Sequence, residues 1–348
     1  MTRRATVALV FGGASCEHDV SLVSAGGIFG RIDRRRWEVL LVGVDRQGRP
    51  RLGDEGLLEG GLDRGEGIPV RWPACPEDRT LREEGTGRVV SPPLDVAFPI
   101  IHGPHGEDGT LQGVFELAGV RCVGSGVLGS ALAMDKDRCR RMLEAAGLPV
   151  VRDAVLDGAR ARDPDRQRAV LERLGLPLFV KPARAGSSVG ISKVTREQAL
   201  ASAIEEALAV DHKVVIERAV PRAREIEVAV LGEDPPVASV CGEIVPHGEF
   251  YSWEAKYHDP ESKLLIPAPL DEDLADRIRG LALAAFRELD LAGLARVDFL
   301  LSGSTGALVL NEVNTLPGFT PISMYPRLWE ASGLPYPELL DRLIELAR

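Results

Sequence analysis

The sequence predicts a mixed α/β and α+β chain, with an open parallel α/β domain first and two α+β domains after it. Three observations predict this. The first third alternates short apolar runs with helical stretches, as a parallel sheet with helical crossovers does. The last third carries four strand-like runs, at 225–231, 237–244, 295–301 and 307–313, around one long helical stretch at 271–289. A length of 348 residues suits about two to three domains of roughly 150 residues each.

The elements follow in order. Residues 6–10 form a short apolar run closed by Gly12-Gly13, read as a first strand and not as a targeting segment. A helical stretch spans about 19–32, and 38–44 reads as a second buried strand. Residues 46–92 are rich in Gly, Pro and Arg and read as a loop-heavy excursion. A third strand at 94–101 leads into the polar loop HGPHGEDG, a helix at 110–118 and a short strand at 119–123. One helix is expected over 129–146, ended by Gly147 and Pro149, and another over about 165–174, ended by Gly175. A strand at 178–181, a glycine-serine loop, a helix at 197–210 and a strand at 213–217 come next. Two helices after Pro326 and Pro335 close the chain.

Composition excludes several classes. Apolar residues make up 45% and charged residues 27%, ordinary for a folded domain and incompatible with bulk disorder. No apolar stretch approaches the roughly 18 residues a membrane span needs. The net charge of −10 lacks the basic footprint of a nucleic-acid binder. A local basic cluster can still hold a polyphosphate. Six residues are lysine, at 136, 181, 193, 213, 256 and 263, so each is a sharper clue than usual. The five cysteines form no C-x-x-C pair, which fits a reducing compartment and buried spectator thiols.

Several constellations can carry chemistry. In VKPARAGSSVGI, Lys181 ends a strand and Gly186, Ser187, Ser188 and Gly190 form a small-residue loop able to turn N–H groups toward an anion. ARVDFLL and ALVLNEVN flank the turn SGSTG and make an antiparallel hairpin. A turn centred near 305 sets Asp298 opposite Glu312, with Arg296 and Asn314 on the same polar face. Val297, Phe299, Val309 and Val313 are then expected on the packed face. Two carboxylates and an amide oxygen suit Mg²⁺ bridging phosphates. HGPHGEDG could ligate zinc, but its glycines and proline favour a shaped, substrate-facing loop with Asp108-Gly109 starting the next helix. GSGVLG at 124–129 matches a dinucleotide fingerprint, but the acid that follows, Glu144, falls at a helix end. The aromatic, charged segment FYSWEAKYHD at 250–259 has the length and place of a lid.

Seven motifs taken together resemble one family, the D-alanine–D-alanine ligases of the ATP-grasp superfamily. They are FGGASCEHDVSLVSA, HGPHGEDGTLQG, MDKDRCRRML, VKPARAGSSVGISKV, EIEVAVLG, YSWEAKY and ARVDFLL with LNEVNTLPGFTPISMYP. The resemblance covers nearly the whole chain except about 46–92. It implies an ATP-grasp fold with a substrate-binding domain at 1–125, a central ATP-grasp subdomain at 126–220, and a C-terminal subdomain at 221–348 with the metal site and a lid at 249–267. It implies joining of two D-alanines through an acyl phosphate, with ATP as co-substrate. It also implies a cytoplasmic homodimer acting on small molecules, without nucleic-acid or membrane partners. D-Ala-D-Ser or D-Ala-D-Lac ligation is the rival within the family.

The same resemblance implies residue roles. Lys136 and Lys181 hold the ATP phosphates, covered by Gly186, Ser187 and Ser188. Glu217 and the backbone near Val220 meet adenine, and Glu225 meets ribose. Asp298, Glu312 and Asn314 hold two Mg²⁺, with Mn²⁺ as a substitute. Arg296 and the N–H near Gly318 stabilise the oxyanion. Glu17 takes the first D-alanine's ammonium, His102 lies near its carboxylate, and Ser323 with the Met324 backbone takes the second carboxylate. Lys256 reaches the transferring phosphate, while Tyr257, Ser187 and Glu17 link lid to N-terminal domain. Tyr257 goes with D-alanine as second substrate. The chain departs from the family at Ala219, where a bulky residue is common, at Ser252-Trp253 in place of Asp-Tyr, and at Cys16 in place of serine.

Overall fold

The computed structural model describes residues 3–186, 189–232, 234–245 and 263–347. Three sheets organise them. The first is built from β1 (Ala5–Gly12), β2 (Trp37–Val44), β3 (Pro50–Gly53), β4 (Ile68–Arg71), β5 (Arg82–Glu83), β6 (Val96–Pro99) and β7 (Arg121–Cys122), in the order β5-β4-β3-β2-β1-β6-β7. Only half of it is the expected parallel layer: β1 pairs in parallel with β2 and β6, and β6 with β7, but β2 through β5 are antiparallel. The excursion at 46–92 is loop-heavy as expected, but it also holds β3, β4 and β5, which were not expected. Its strands of two to four residues are too short to show a period, and edge position relaxes the need for one. Leu57 and Leu62, fully buried, pin the excursion onto the sheet. Strand β1 sits centrally and is buried almost throughout, which explains its unbroken apolar run. Helices α1 (His18–Phe29) and α2 (Thr110–Leu117) connect these strands.

The second unit holds α3 (Val127–Met134), α4 (Lys136–Ala145), α5 (Gly158–Ala161), α6 (Pro164–Leu174) and α7 (Leu200–Leu208). Its antiparallel sheet comprises β8 (Asp153–Asp157), β9 (Leu178–Pro182), β10 (Ser192–Val194) and β11 (Lys213–Arg218), ordered β10-β9-β11-β8. Strand β8 was not expected. The single helix expected over 129–146 is two helices. Asp135 leaves helical geometry (ψ 99°), and its carboxylate accepts from the N–H groups of Asp137 and Arg138. An Asp cap of this kind contributes about 1 kcal/mol and restarts the helix in a new direction.

The third sheet is antiparallel: β12 (Ala223–Gly232), β13 (Val237–Val245), β14 (Lys263–Leu265), β15 (Gly293–Ser302) and β16 (Leu308–Asn314), ordered β14-β13-β12-β15-β16. Helix α8 (Glu272–Glu288) packs its Ile278, Ala282, Ala285 and Phe286 on one side, in a core shared with Val228, Val297 and Phe299. Helices α9 (Met324–Ala331) and α10 (Tyr336–Glu345) bury Tyr325, Leu328, Leu339 and Leu343 in one core with Val7, Leu9, Phe98 and Leu231. The first and third sheets thus share a hydrophobic core. Gly27 on α1 permits the approach, since a Cβ there would lie 2.6 Å from the Phe319 carbonyl oxygen.

All five cysteines are free, and Cys122, Cys139 and Cys241 are buried as expected. Cys16 is exposed, against expectation, because it precedes α1 in a surface turn. Among the described residues no helix is long and apolar enough to cross a membrane.

Candidate active site

The third sheet presents a polar face. Glu227, Asp298 and Glu312 lie side by side on β12, β15 and β16, and Ala229, Arg296 and Asn314 form the next row. The expected register of the β15–β16 hairpin is therefore present at these pairs. Beyond Asp298 the register slips by one, pairing Phe299 with Leu310 and leaving Asn311 as the bulged residue. The slip moves the apolar phase of β16. Leu310 and Val313 are buried, while Val309 is only half-buried, which corrects its placement on the packed face.

Arg296 organises this face. Its Nε and Nη2 donate to the two oxygens of Asp298, both at 2.7 Å, and Nε lies 3.1 Å from Glu227 Oε2. Burial alone would weaken proton binding by Arg296. The carboxylates of Asp298, Glu227 and Glu312 outweigh it and hold the guanidinium permanently charged. The set Asp298, Glu312 and Asn314 is all oxygen, with two carboxylates, and fits a hard divalent cation.

The second unit supplies the facing cations. Lys181 Nζ lies 2.8 Å from Glu217 Oε2, and Arg140 Nη2 donates to Glu217 Oε1 at 2.6 Å. Burial raises the Glu217 carboxyl, but Arg140 and Lys181 prevail and keep it below its ordinary range. Arg140 also reaches Asp153 at 3.2 Å and donates to the Asn311 carbonyl at 3.2 Å, so it ties α4, β8 and β11 to the bulge of β16. Two backbone bonds near this point, Leu310 N–H to Pro149 O at 2.7 Å and Val151 N–H to Leu310 O at 3.3 Å, lock the same junction. Lys136 donates to the Ala185 carbonyl at 2.8 Å. Burial lowers its proton affinity, and the field of Glu312 partly restores it.

The first unit closes the cleft from the other side. Glu17, buried before α1, packs against two glycines: a Cβ on Gly103 would lie 3.0 Å from Glu17 Oε2, and one on Gly186 would lie 2.9 Å from it. His102 is buried, with Nδ1 donating to the Leu316 carbonyl at 3.1 Å and Nε2 3.4 Å from Ser24 Oγ. Ser24 Oγ accepts from the Phe319 N–H at 3.2 Å. Gly318 lies against Ser323, since a Cβ there would sit 2.9 Å from Ser323 Oγ. Ser323 precedes α9, and its Oγ accepts from the Thr320 N–H at 3.0 Å; Met324, buried, opens the helix.

Burial by itself would lower the His102 pKa, but Glu107 and Glu17 raise it above its ordinary 6.5. A raised histidine stabilises the fold fully below the unfolded-state value of about 6.5, and that contribution fades as pH rises through the folded-state value. Relative to His102→Gln, the parent is therefore expected to gain most melting temperature near pH 6 and progressively less toward pH 8, roughly. Thermal melts of both proteins across that range check it, and a constant difference would contradict it.

The structure thus brings Glu17, His102, Gly318, Ser323 and Met324 together on one side. Lys136, Lys181, Gly186 and Glu217 gather on another, and Arg296, Asp298, Glu312 and Asn314 on the third. Val220 is half-buried just beyond β11, and Glu225 shares the polar face of β12 with Glu227. Ser187, Ser188, Lys256, Tyr257 and most of the lid at 249–267 lie outside the described residues. Sequence reasoning missed Arg140, Glu227 and Ser24. Arg140 follows Lys136 by one helical turn, and Glu227 alternates with Glu225 in EIEV, so both signals were present. The glycines at 124–129 are used for packing: Gly129 abuts the Asp290 carbonyl and Gly124 touches Leu294. In HGPHGEDG, Glu107 accepts the Gly103 N–H at 2.9 Å and Asp108 accepts the N–H groups of His105 and Thr110, which closes the loop. Gly109, not Asp108, caps α2.

Comparison with known proteins agrees over the whole length. Models described as D-ala D-ala ligase N-terminus and C-terminus match residues 6–125 and 142–345. The chain is 49% identical over 344 residues to a D-alanine–D-alanine ligase of Thermoanaerobacter sp. strain X514, covering 98% of this chain and 96% of the relative. It is 46% identical over 349 residues to D-alanine–D-alanine ligase A of Escherichia coli K12, covering 98% and 95%. Among solved structures, the VanG D-Ala:D-Ser ligase of Enterococcus faecalis superposes with a TM-score of 0.88 at 36% identity, covering 99% of each chain. The D-alanine–D-alanine ligase of Coxiella burnetii gives 0.87 at 36% identity, covering 99% of this chain and 94% of that one.

Proposed function

Because this chain belongs to the D-alanine–D-alanine ligase family, we propose a division of the ATP-dependent joining of two D-alanines among its three facing surfaces. The reaction makes D-alanyl-D-alanine for peptidoglycan synthesis. One observation carries the division: Arg140, one turn after Lys136 on α4, donates to the Asn311 carbonyl and so ties the cation side to the strand bearing Glu312 and Asn314.

Lys136 and Lys181 bind the polyphosphate as fixed point charges, and Gly186 lets the following loop close over it. Glu217, held as a carboxylate, orients the base beside the backbone near Val220, and Glu225 takes the ribose. Asp298, Glu312 and Asn314 would hold two Mg²⁺, or Mn²⁺. Bound there, the cations neutralise charge on the phosphoryl group in transfer. Glu17 pairs with the ammonium of the first D-alanine, and His102 lies by its carboxylate. Ser323 and the Met324 N–H hold the second carboxylate at the start of α9, where orphan N–H groups favour an anion. The carboxylate of the first D-alanine takes the terminal phosphoryl group of ATP and ADP leaves. The amine of the second then attacks the carbonyl carbon of that acyl phosphate and loses a proton, and the C–O bond to phosphate breaks to release inorganic phosphate. Arg296 and the N–H near Gly318 meet the oxyanion that develops. Ser187, Lys256 and Tyr257 complete the closed site in this reading. A cytoplasmic homodimer rests on the family resemblance alone.

The test is phosphate release from ATP and Mg²⁺ with D-alanine alone, then with D-serine or D-lactate added, reading the product by mass. D-Alanine alone is expected to release phosphate and yield the dipeptide mass. A mixed product formed only with D-serine or D-lactate would overturn the choice of second substrate.

A further inference from the structure

In the CEHDVS stretch, the residue after Glu17 is a histidine. His18 is fully buried, and its Nδ1 lies 2.6 Å from the Gly13 carbonyl oxygen. A carbonyl only accepts, so the proton of the neutral ring is on Nδ1 and Nε2 presents a lone pair. Among the described residues Nε2 has no hydrogen-bond partner. It faces Asp63, at 3.7 Å from Oδ1. Asp19, next in the chain, brings a second carboxylate, and ligand atoms of all three residues lie within 4.8 Å of one another. The two acids have a cation between them, but the buried Nε2 lone pair has no donor among the described residues. The cation is Arg46, which reaches Asp19 at 2.6 Å and Asp63 at 2.9 Å.

The geometry points to a second divalent-metal site formed by His18 Nε2, Asp19 and Asp63, at which the metal displaces the guanidinium of Arg46. A metal-bound histidine commonly donates its other ring N–H to a backbone carbonyl, which fixes tautomer and ring plane; His18 and Gly13 have this arrangement. One imidazole with two carboxylates suits Zn²⁺ or Co²⁺ better than Mg²⁺, so this site differs in kind from the all-oxygen set on β15 and β16. Metal bonds of about 2.0–2.2 Å require ligand atoms roughly 3.4 Å apart, so the acids must draw inward by about 1 Å. They can: the side chains of Asp19 and Asp63 are 74% and 44% exposed, while His18 need not move. Arg46, 43% exposed, can swing into solvent. Asp63 belongs to the excursion between β3 and β4, so the metal would staple that excursion to the first turn of α1, one residue from Glu17.

The test titrates metal-stripped full-length protein with Co²⁺, followed by calorimetry and visible absorption, in the parent, Asp63→Asn, Arg46→Met and Glu312→Gln. A tight Co²⁺ event is expected to persist in Glu312→Gln and to weaken at least ~10-fold in Asp63→Asn. Asp63→Asn is expected to keep its Mg²⁺-ATP turnover. Removal of the competing cation in Arg46→Met is expected to tighten binding. Loss of the event in Glu312→Gln, indifference to Asp63→Asn, or no tightening in Arg46→Met would overturn the proposal.

Discussion

Replacing Glu312 by glutamine is expected to leave the fold in place and cut turnover by about three orders of magnitude or more. The amide has the shape of the carboxylate, and position 312 is half-buried at the end of β16, so packing is preserved. The charge is not. Glu312 stands opposite Asp298 in a row of the sheet where three acids meet, and its field supports the ammonium of Lys136. Glutamine removes a hard anionic oxygen from the set proposed for the cations and leaves Lys136 desolvated with less to hold its proton. Phosphate release measured across Mg²⁺ concentrations, beside a circular-dichroism melt, separates the two effects. A parent-like melt with near-parent turnover at saturating Mg²⁺ would remove Glu312 from the site.

Arg296→Met is expected to damage both stability and catalysis. The guanidinium offsets the charge of Asp298 and Glu227, both buried, and its loss removes the cation that these two carboxylates share. Breaking such a buried arrangement costs about 3–5 kcal/mol, because buried carboxylates lose the cation that offsets their desolvation. Loss of an oxyanion donor lowers turnover by about 100-fold or more. The double variant Arg296→Met with Glu227→Gln removes one of these two charges and is expected to recover part of the melting temperature. Turnover is not expected to return with it. If activity rose in step with stability, Arg296 would be a structural residue only and its proposed role at the oxyanion would fall.

These two positions were legible in the sequence because a hairpin is local. The SGSTG turn sets the register of β15 on β16, and alternation then decides which side chains share a face. Even here the bulge at Asn311 was invisible, so Val309 was misplaced and Leu310 overlooked. The excursion at 46–92 was illegible for a related reason. Strands of two to four residues on a sheet edge carry no readable period, and their identity comes from the neighbour they pair with. Asp135 shows the opposite case. Its capping signal was in the sequence, but helix-forming residues on both sides of it, ended by Gly147, suggested one continuous helix.

By itself the sequence determined the kinds of residue available, the spacing of its motifs and the faces of its longer strands, all matters of local period and turn chemistry. Tertiary structure decided which of these residues meet. Arg140 joins Glu217 and the Asn311 carbonyl across 77 and 171 residues, and His102 joins Leu316 across 214. The excursion's Asp63 is brought to His18 in the same way. Such contacts depend on how three separately formed sheets dock, and docking is set by the fit of whole apolar faces such as those of α9 and α10. No local pattern encodes that fit, because burying a face against a distant partner depends on the summed shape of both.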